Sequence, residues 1–127
     1  MGNTSYRLEN PPGQDEGPQA SDGRERAVLV GLDSTSLSGW DIEESMDELA
    51  HLVETAGGHI VARVVQHKQK PDAAHYVGEG KAREIEMMRQ ATGADLVVFD
   101  DELSPAQQRN LEEIIKSRVI DRTQLIL

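Results

Sequence analysis

The chain has 127 residues, with 23 acidic against 13 basic side chains and a formal net charge of −10. That is length enough for one domain with a core, and too much negative charge for bulk binding of nucleic acid, which needs clustered cations to release counterions. There is no cysteine, which excludes disulfides, a thiolate nucleophile and cysteine-held metal or iron–sulfur centres.

No apolar run approaches the roughly 20 residues of a membrane span. The N-terminus lacks the basic start and apolar core of a signal peptide. A cytoplasmic protein without a membrane partner is expected, and a monomer.

Residues 1–25 hold Asn10-Pro11-Pro12-Gly13-Gln14-Asp15-Glu16-Gly17-Pro18 and almost nothing apolar. Such a segment buries too little surface to order itself, so a disordered tail is expected there and a folded domain over 26–127. Ala27-Val28-Leu29-Val30-Gly31-Leu32 reads as a strand covered on both faces. Asp33-Ser34-Thr35-Ser36 follows, then a loop to Trp40, a packing anchor. Asp41 to Ala56 is a helix, with Ile42, Met46, Leu49, Val53 and Ala56 on one face. Gly57-Gly58 stops it in a left-handed cap. Ile60 to Val65 is the second strand.

Gln66 to Val77 is less regular and is broken by Pro71. Gly78-Glu79-Gly80-Lys81 is a turn, and a helix runs from about Lys81 to Ala91 with Gly93 as its stop. Leu96 to Phe99 is a third apolar strand. Asp100, Asp101 and Glu102 end it, because three adjacent carboxylates cannot stay in a dry sheet. Ser104 is then a good N-cap, Pro105 a good first helical residue, and Gln107 completes a capping box. That helix buries Leu111, Ile114 and Ile115 and ends near Lys116-Ser117. Val119-Ile120 is a short fourth strand, and Asp121-Arg122-Thr123 turns into the terminal Leu125-Ile126-Leu127. The alternation implies right-handed crossovers. The fold class is α/β: a small, mostly parallel four-stranded sheet with helices on both faces.

In such a sheet ligands bind beyond the C-terminal strand ends. The rim candidates, for a nucleotide or an interdomain contact, are Asp33, Asp100, Asp101, Glu102, Arg109, Asp121 and Arg122. Asp100 to Glu102 could hold Mg²⁺ with Lys81 or Arg122 on a phosphate. Against this, adjacent strand residues point opposite ways, and acids ahead of a helix N-terminus are explained by its dipole. Gly78-Glu79-Gly80-Lys81-Ala82 fails as a phosphate loop, which needs glycine at position 75 and serine or threonine at position 82. Here those are His75 and Ala82. The third candidate is local charge. Arg63, Lys68, Lys70, Lys81 and Arg83, with His67, His75 and Tyr76 among them and only Asp72 and Glu79 against them, form the one basic stretch. A loop of this kind reaches RNA phosphates and can stack a ring on a base.

Taken together, Tyr76-Val77-Gly78-Glu79-Gly80-Lys81, the run Gly93-Ala94-Asp95 through Asn110-Leu111-Glu112, and Val119-Ile120-Asp121-Arg122-Thr123 closely resemble the N-terminal domain of the HflX family of ribosome-associated GTPases. The resemblance covers about Arg26 to the end. It implies an α/β domain followed by a long helical pair and a GTPase domain with a complete phosphate loop. It also implies binding to the large ribosomal subunit and its rRNA, splitting or rescue of stalled ribosomes under stress, and restraint of the GTPase domain by this one. ATP binding has been attributed to this region in some members. The chain stops where the helical pair should begin and has no GTPase motif, so GTP hydrolysis does not carry over. No catalytic residue, metal ligand or cofactor is expected in this chain; GTP and Mg²⁺ belong to the missing domain. Lys68, Lys70, His75, Tyr76, Lys81 and Arg83 are the expected ribosome contacts. A nucleotide-binding regulatory domain and a stand-alone partner-docking domain are the alternatives.

Overall fold

The computed structural model describes the backbone of residues 4–8, and residues 23–33 and 42–126 with their side chains. The apolar run after Arg26 forms a fully buried central strand, flanked on both sides. The elements in order are β1 (Thr4–Leu8), β2 (Arg26–Asp33), α1 (Ile42–Thr55), β3 (His59–His67), α2 (Glu79–Thr92), β4 (Leu96–Phe99), α3 (Pro105–Ile115), β5 (Arg118–Asp121) and α4 (Arg122–Ile126). They build one sheet in the order β1-β3-β2-β4-β5. β2 to β5 are parallel, as expected, and β1 joins β3 antiparallel.

Two apolar layers sandwich the sheet. On one face Val28, Val30, Val64, Val97, Phe99 and Val119 meet Ala82 and Ile85 of α2 and Leu111 and Ile115 of α3. On the other, Ala27, Leu29, Ile60, Val65 and Val98 meet Met46, Leu49 and Val53 of α1, with Leu125 of α4 against the same cluster. This is the alternation of a strand buried on both sides. Ile42 packs only partly, and Ala56 lies exposed beyond the end of α1.

The helix ends follow their local chemistry. Ser104 accepts from the Gln107 amide and the Gln107 side chain accepts from the Ser104 amide, closing the capping box, with Pro105 in the first turn. Gly93 stops α2 at φ 70°, a left-handed conformation open to glycine at no steric cost. α2 starts at Glu79, two residues ahead of the expected start, so Gly78 caps a helix where a turn was expected.

The larger difference is β1. It lies inside the segment read as a disordered tail, yet Thr4 to Leu8 pairs with Gln66 to Ala62. Strand pairing satisfies backbone groups and does not require apolar composition, so periodicity could not reveal it. Ser34 to Ser36, Trp40 and Leu127 fall outside the described residues.

Candidate functional site at the strand-end rim

The parallel pairing brings the C-terminal ends of β2, β3, β4 and β5 to one edge. There Asp33 and His67, paired across β2 and β3, approach to 3.0 Å through Oδ2 and Nδ1. The Lys68 amide donates to the Asp33 carbonyl at 3.1 Å.

At the end of β4 the two neighbouring aspartates part company. Asp100 is buried on the α1 side. Its Oδ2 accepts from Ser45 Oγ at 2.5 Å, and its Oδ1 accepts from Arg122 Nη2 at 2.5 Å and Nε at 3.1 Å. Arg122 also donates to Glu48 Oε1 at 3.0 Å and to the Ser45 carbonyl at 3.0 Å. Burial works against the guanidinium charge, but the bonds to Asp100 and the charges of Asp100 and Glu48 outweigh it and hold Arg122 above its ordinary pKa.

Asp101 turns to the other side and accepts the phenolic proton of Tyr76. The Tyr76 ring stands edge-on to Phe99, with centroids 5.9 Å apart. Burial first, then the bond to Asp101 and the nearby negative charges, push the phenol well above its ordinary pKa. Asp121 is buried as well. It accepts from the Leu103 amide at 2.9 Å and the Gln124 amide at 2.8 Å, pinning the β4–α3 corner and starting α4.

The loop after β3 is a built turn. Asp72 Oδ1 accepts from the amides of Ala74 and His75, both at 2.8 Å, and Asp72 and Tyr76 exchange backbone hydrogen bonds. The two amide bonds hold the Asp72 carboxyl below its ordinary pKa. Tyr76 closes the turn at φ 68°, a strained conformation for a non-glycine residue that costs about 1–3 kcal/mol. The turn is clamped from α3. Gln107 Nε2 donates to the Asp72 carbonyl at 2.9 Å and Asn110 Nδ2 to the Ala74 carbonyl at 3.0 Å. Gln66 Oε1 accepts from the Gly78 amide at 3.1 Å and ties the turn back to β3.

Two expected RNA contacts are therefore corrected. Tyr76 is 4% exposed, so its ring is packing and not a stacking platform. Lys81 is 7% exposed and ion-paired with Glu84, one helical turn on. Arg83 is exposed and paired with Glu79 at 2.9 Å. Lys70 is exposed, and Lys68 and His75 are half-buried. On the rim, Asp100 and Asp121 are engaged in structural bonds, and Glu102 and Arg109 are exposed. Among the described residues no group of three or more His, Cys, Asp or Glu is placed to hold a metal ion.

Ser45, Glu48 and Asn110 were not singled out in the sequence. Ser45 carried a faint signal, a small polar residue beside the Met46 stripe. The others are ordinary surface residues until the fold places them.

Residues 43–127 match the family described as GTP-binding GTPase N-terminal. The chain belongs to this family. It is 45% identical over 106 residues to the GTPase HflX of Escherichia coli, which spans 84% of this chain and 24% of that protein. It is 40% identical over 103 residues to the GTPase HflX of Flavobacterium psychrophilum, 81% of this chain and 25% of that protein. The chain thus spans about a quarter of the length of these curated relatives. A crystal structure of an SsGBP variant shares the fold, with a TM-score of 0.60 at 18% identity, over 80% of this chain and 30% of that one. An HflX-type GTPase N-terminal domain is what residues 43–127 belong to. No helix among the described residues is long and apolar enough to cross a membrane.

Proposed function

We propose that this domain is a non-catalytic module of an HflX-type GTPase that works in the cytoplasm, contacts rRNA of the large ribosomal subunit and tunes the GTPase domain. GTP and Mg²⁺ are handled by that GTPase domain. Family membership over residues 43–127 carries the reading. The clamped turn supports it in shape: Asp72, Gln107, Asn110 and Gln66 fix the 72–78 segment at the strand-end rim. A loop held in one conformation loses less entropy on binding than a free one. His75 sits on it, Lys68 and Lys70 lie just ahead of it, and exposed Arg83 on the following helix extends the cationic patch. Such a patch makes a few phosphate contacts within an acidic protein.

A nucleotide at the rim has less support. Lys81 is paired with Glu84 in the α2–α3 layer, while Arg122 is bound to Asp100 and Glu48 beside α1. Each of the two cations offered for a phosphate is already paired with carboxylates.

Co-sedimentation with purified large ribosomal subunits across a salt series tests the reading. Binding should weaken with salt, and Lys68→Gln with Lys70→Gln should lower the slope of log affinity against log salt by about two. Full retention of affinity and slope in that variant, or no co-sedimentation at low salt, overturns it.

A further inference from the structure

We infer that the outer edge of β3 is a strand-acceptor site, and that its second occupant is the Thr4–Leu8 segment of another copy of this chain. β3 is the longest strand of the sheet, at 9 residues. Its inner edge is taken by β2, and its outer edge accepts only the five residues of β1. Without β1, the backbone groups along that edge would be unpaired, which is a template for another strand.

β1 is joined through residues 9–22 to Gly23, and the chain is held again at Glu25, whose carbonyl accepts from the His59 amide at 2.7 Å. Extended, residues 9–22 reach about 46 Å, enough to cross to a second molecule. The pairing that holds β1, Thr4 opposite Gln66 through Leu8 opposite Ala62, is the same whether the strand comes from its own chain or a second one. Exchange therefore keeps this backbone pairing, and the length of the tether sets the balance between the two. A tether of this length gives an effective concentration in the millimolar range. In dilute solution each chain fills its own edge. Near millimolar concentration, or where two copies are held together, the strands trade.

The absence of native cysteine makes the test clean. Ser5 is opposite Val65, and in the double variant Ser5→Cys/Val65→Cys at micromolar concentration an internal disulfide should close in a monomer. The two single variants are then unfolded together, refolded at about 1 mM and oxidised. The expected product is a dimer linked from position 5 of one chain to position 65 of the other, mapped by mass spectrometry. Thr4→Cys with Gln66→Cys, one register position along, serves if Val65→Cys does not fold. Internal closure without any 5–65 or 4–66 linked dimer overturns the exchange. Failure of both double variants to close overturns the acceptor site itself.

Discussion

Asp100 and Asp101 are adjacent in the chain and bond to opposite layers of the domain. Asp100 reaches Ser45 and Arg122 beside α1, and Asp101 reaches Tyr76 above the other face. The strand pleat separates them, so the acidic corner is a two-sided clasp and not a pair of convergent carboxylates. The Asp100–Arg122 pair has one buried and one partly exposed member. Removing Arg122 leaves Asp100 charged in a site still supplied by Ser45. Arg122→Gln should cost about 2–4 kcal/mol in urea unfolding. Adding Asp100→Asn to it should recover part of that loss, because the stranded charge is gone. Simple additivity of the two losses in a double-mutant cycle would show that the residues act independently.

Tyr76 gives a pH signature. Its phenol is held above the ordinary 10.0 by burial and by Asp101, so the folded chain keeps a proton that the unfolded chain releases. The stabilising effect is full below about pH 10 and is lost as pH rises beyond it. In a Tyr6→Phe background, phenolate absorbance should appear only together with loss of the far-UV helical signal. An absorbance step near pH 10 in a chain that is still folded would place Tyr76 in water. Tyr76→Phe should cost about 1 kcal/mol and Tyr76→Ala about 3–5 kcal/mol.

The parts of the fold that were legible in sequence are those set by short-range chemistry. Apolar runs located β2 to β5, the stripe of Met46, Leu49 and Val53 located α1, and Ser104 to Gln107 located the start of α3. β1 was not legible because it is held by backbone pairing to an edge that exists only once β3 is folded. The candidate site failed in a different way. Counting charges treats each lysine as surface, but Lys81 lies in the first turn of a helix whose next residue, Ala82, is core, and Glu84 meets its charge. Tyr76 looked like an exposed ring in a polar loop. The left-handed turn that buries it depends on Asp72, Gln107 and Phe99, and the last two come from elements that follow.

Gly31 interrupts the apolar run of β2 for a reason of space. A Cβ there would stand 2.6 Å from Met46 Sδ and 3.3 Å from Ile42 Cδ1. Met46 is fully buried and has little room to withdraw. Gly31→Ala should therefore destabilise by about 1–3 kcal/mol through overpacking. Met46→Val combined with it should cost less than the two single changes added together. A neutral Gly31→Ala, measured by denaturant midpoint at constant m-value, would mean that α1 shifts freely on the sheet.

β5 is the other margin of the sheet, and its open side is closed by side chains. The Val119 amide donates to Glu112 Oε2 at 3.1 Å, Gln108 Nε2 donates to the Val119 carbonyl at 2.6 Å, and the Asp121 amide donates to Gln124 Oε1 at 3.1 Å. Gln108 and Gln124 also bond each other through both amide ends, at 3.1 and 3.2 Å. These groups occupy the positions where a further strand would pair, which is how natural sheets block edge-to-edge association. Gln108→Ala with Gln124→Ala exposes the edge. Both residues are on helices that accept alanine, so stability should change by no more than about 1 kcal/mol. Self-association should appear in sedimentation velocity at tens of micromolar, well below the concentration at which β1 exchanges. If the double variant sediments as the parent chain does at those concentrations, the glutamines support the β5 strand without guarding it.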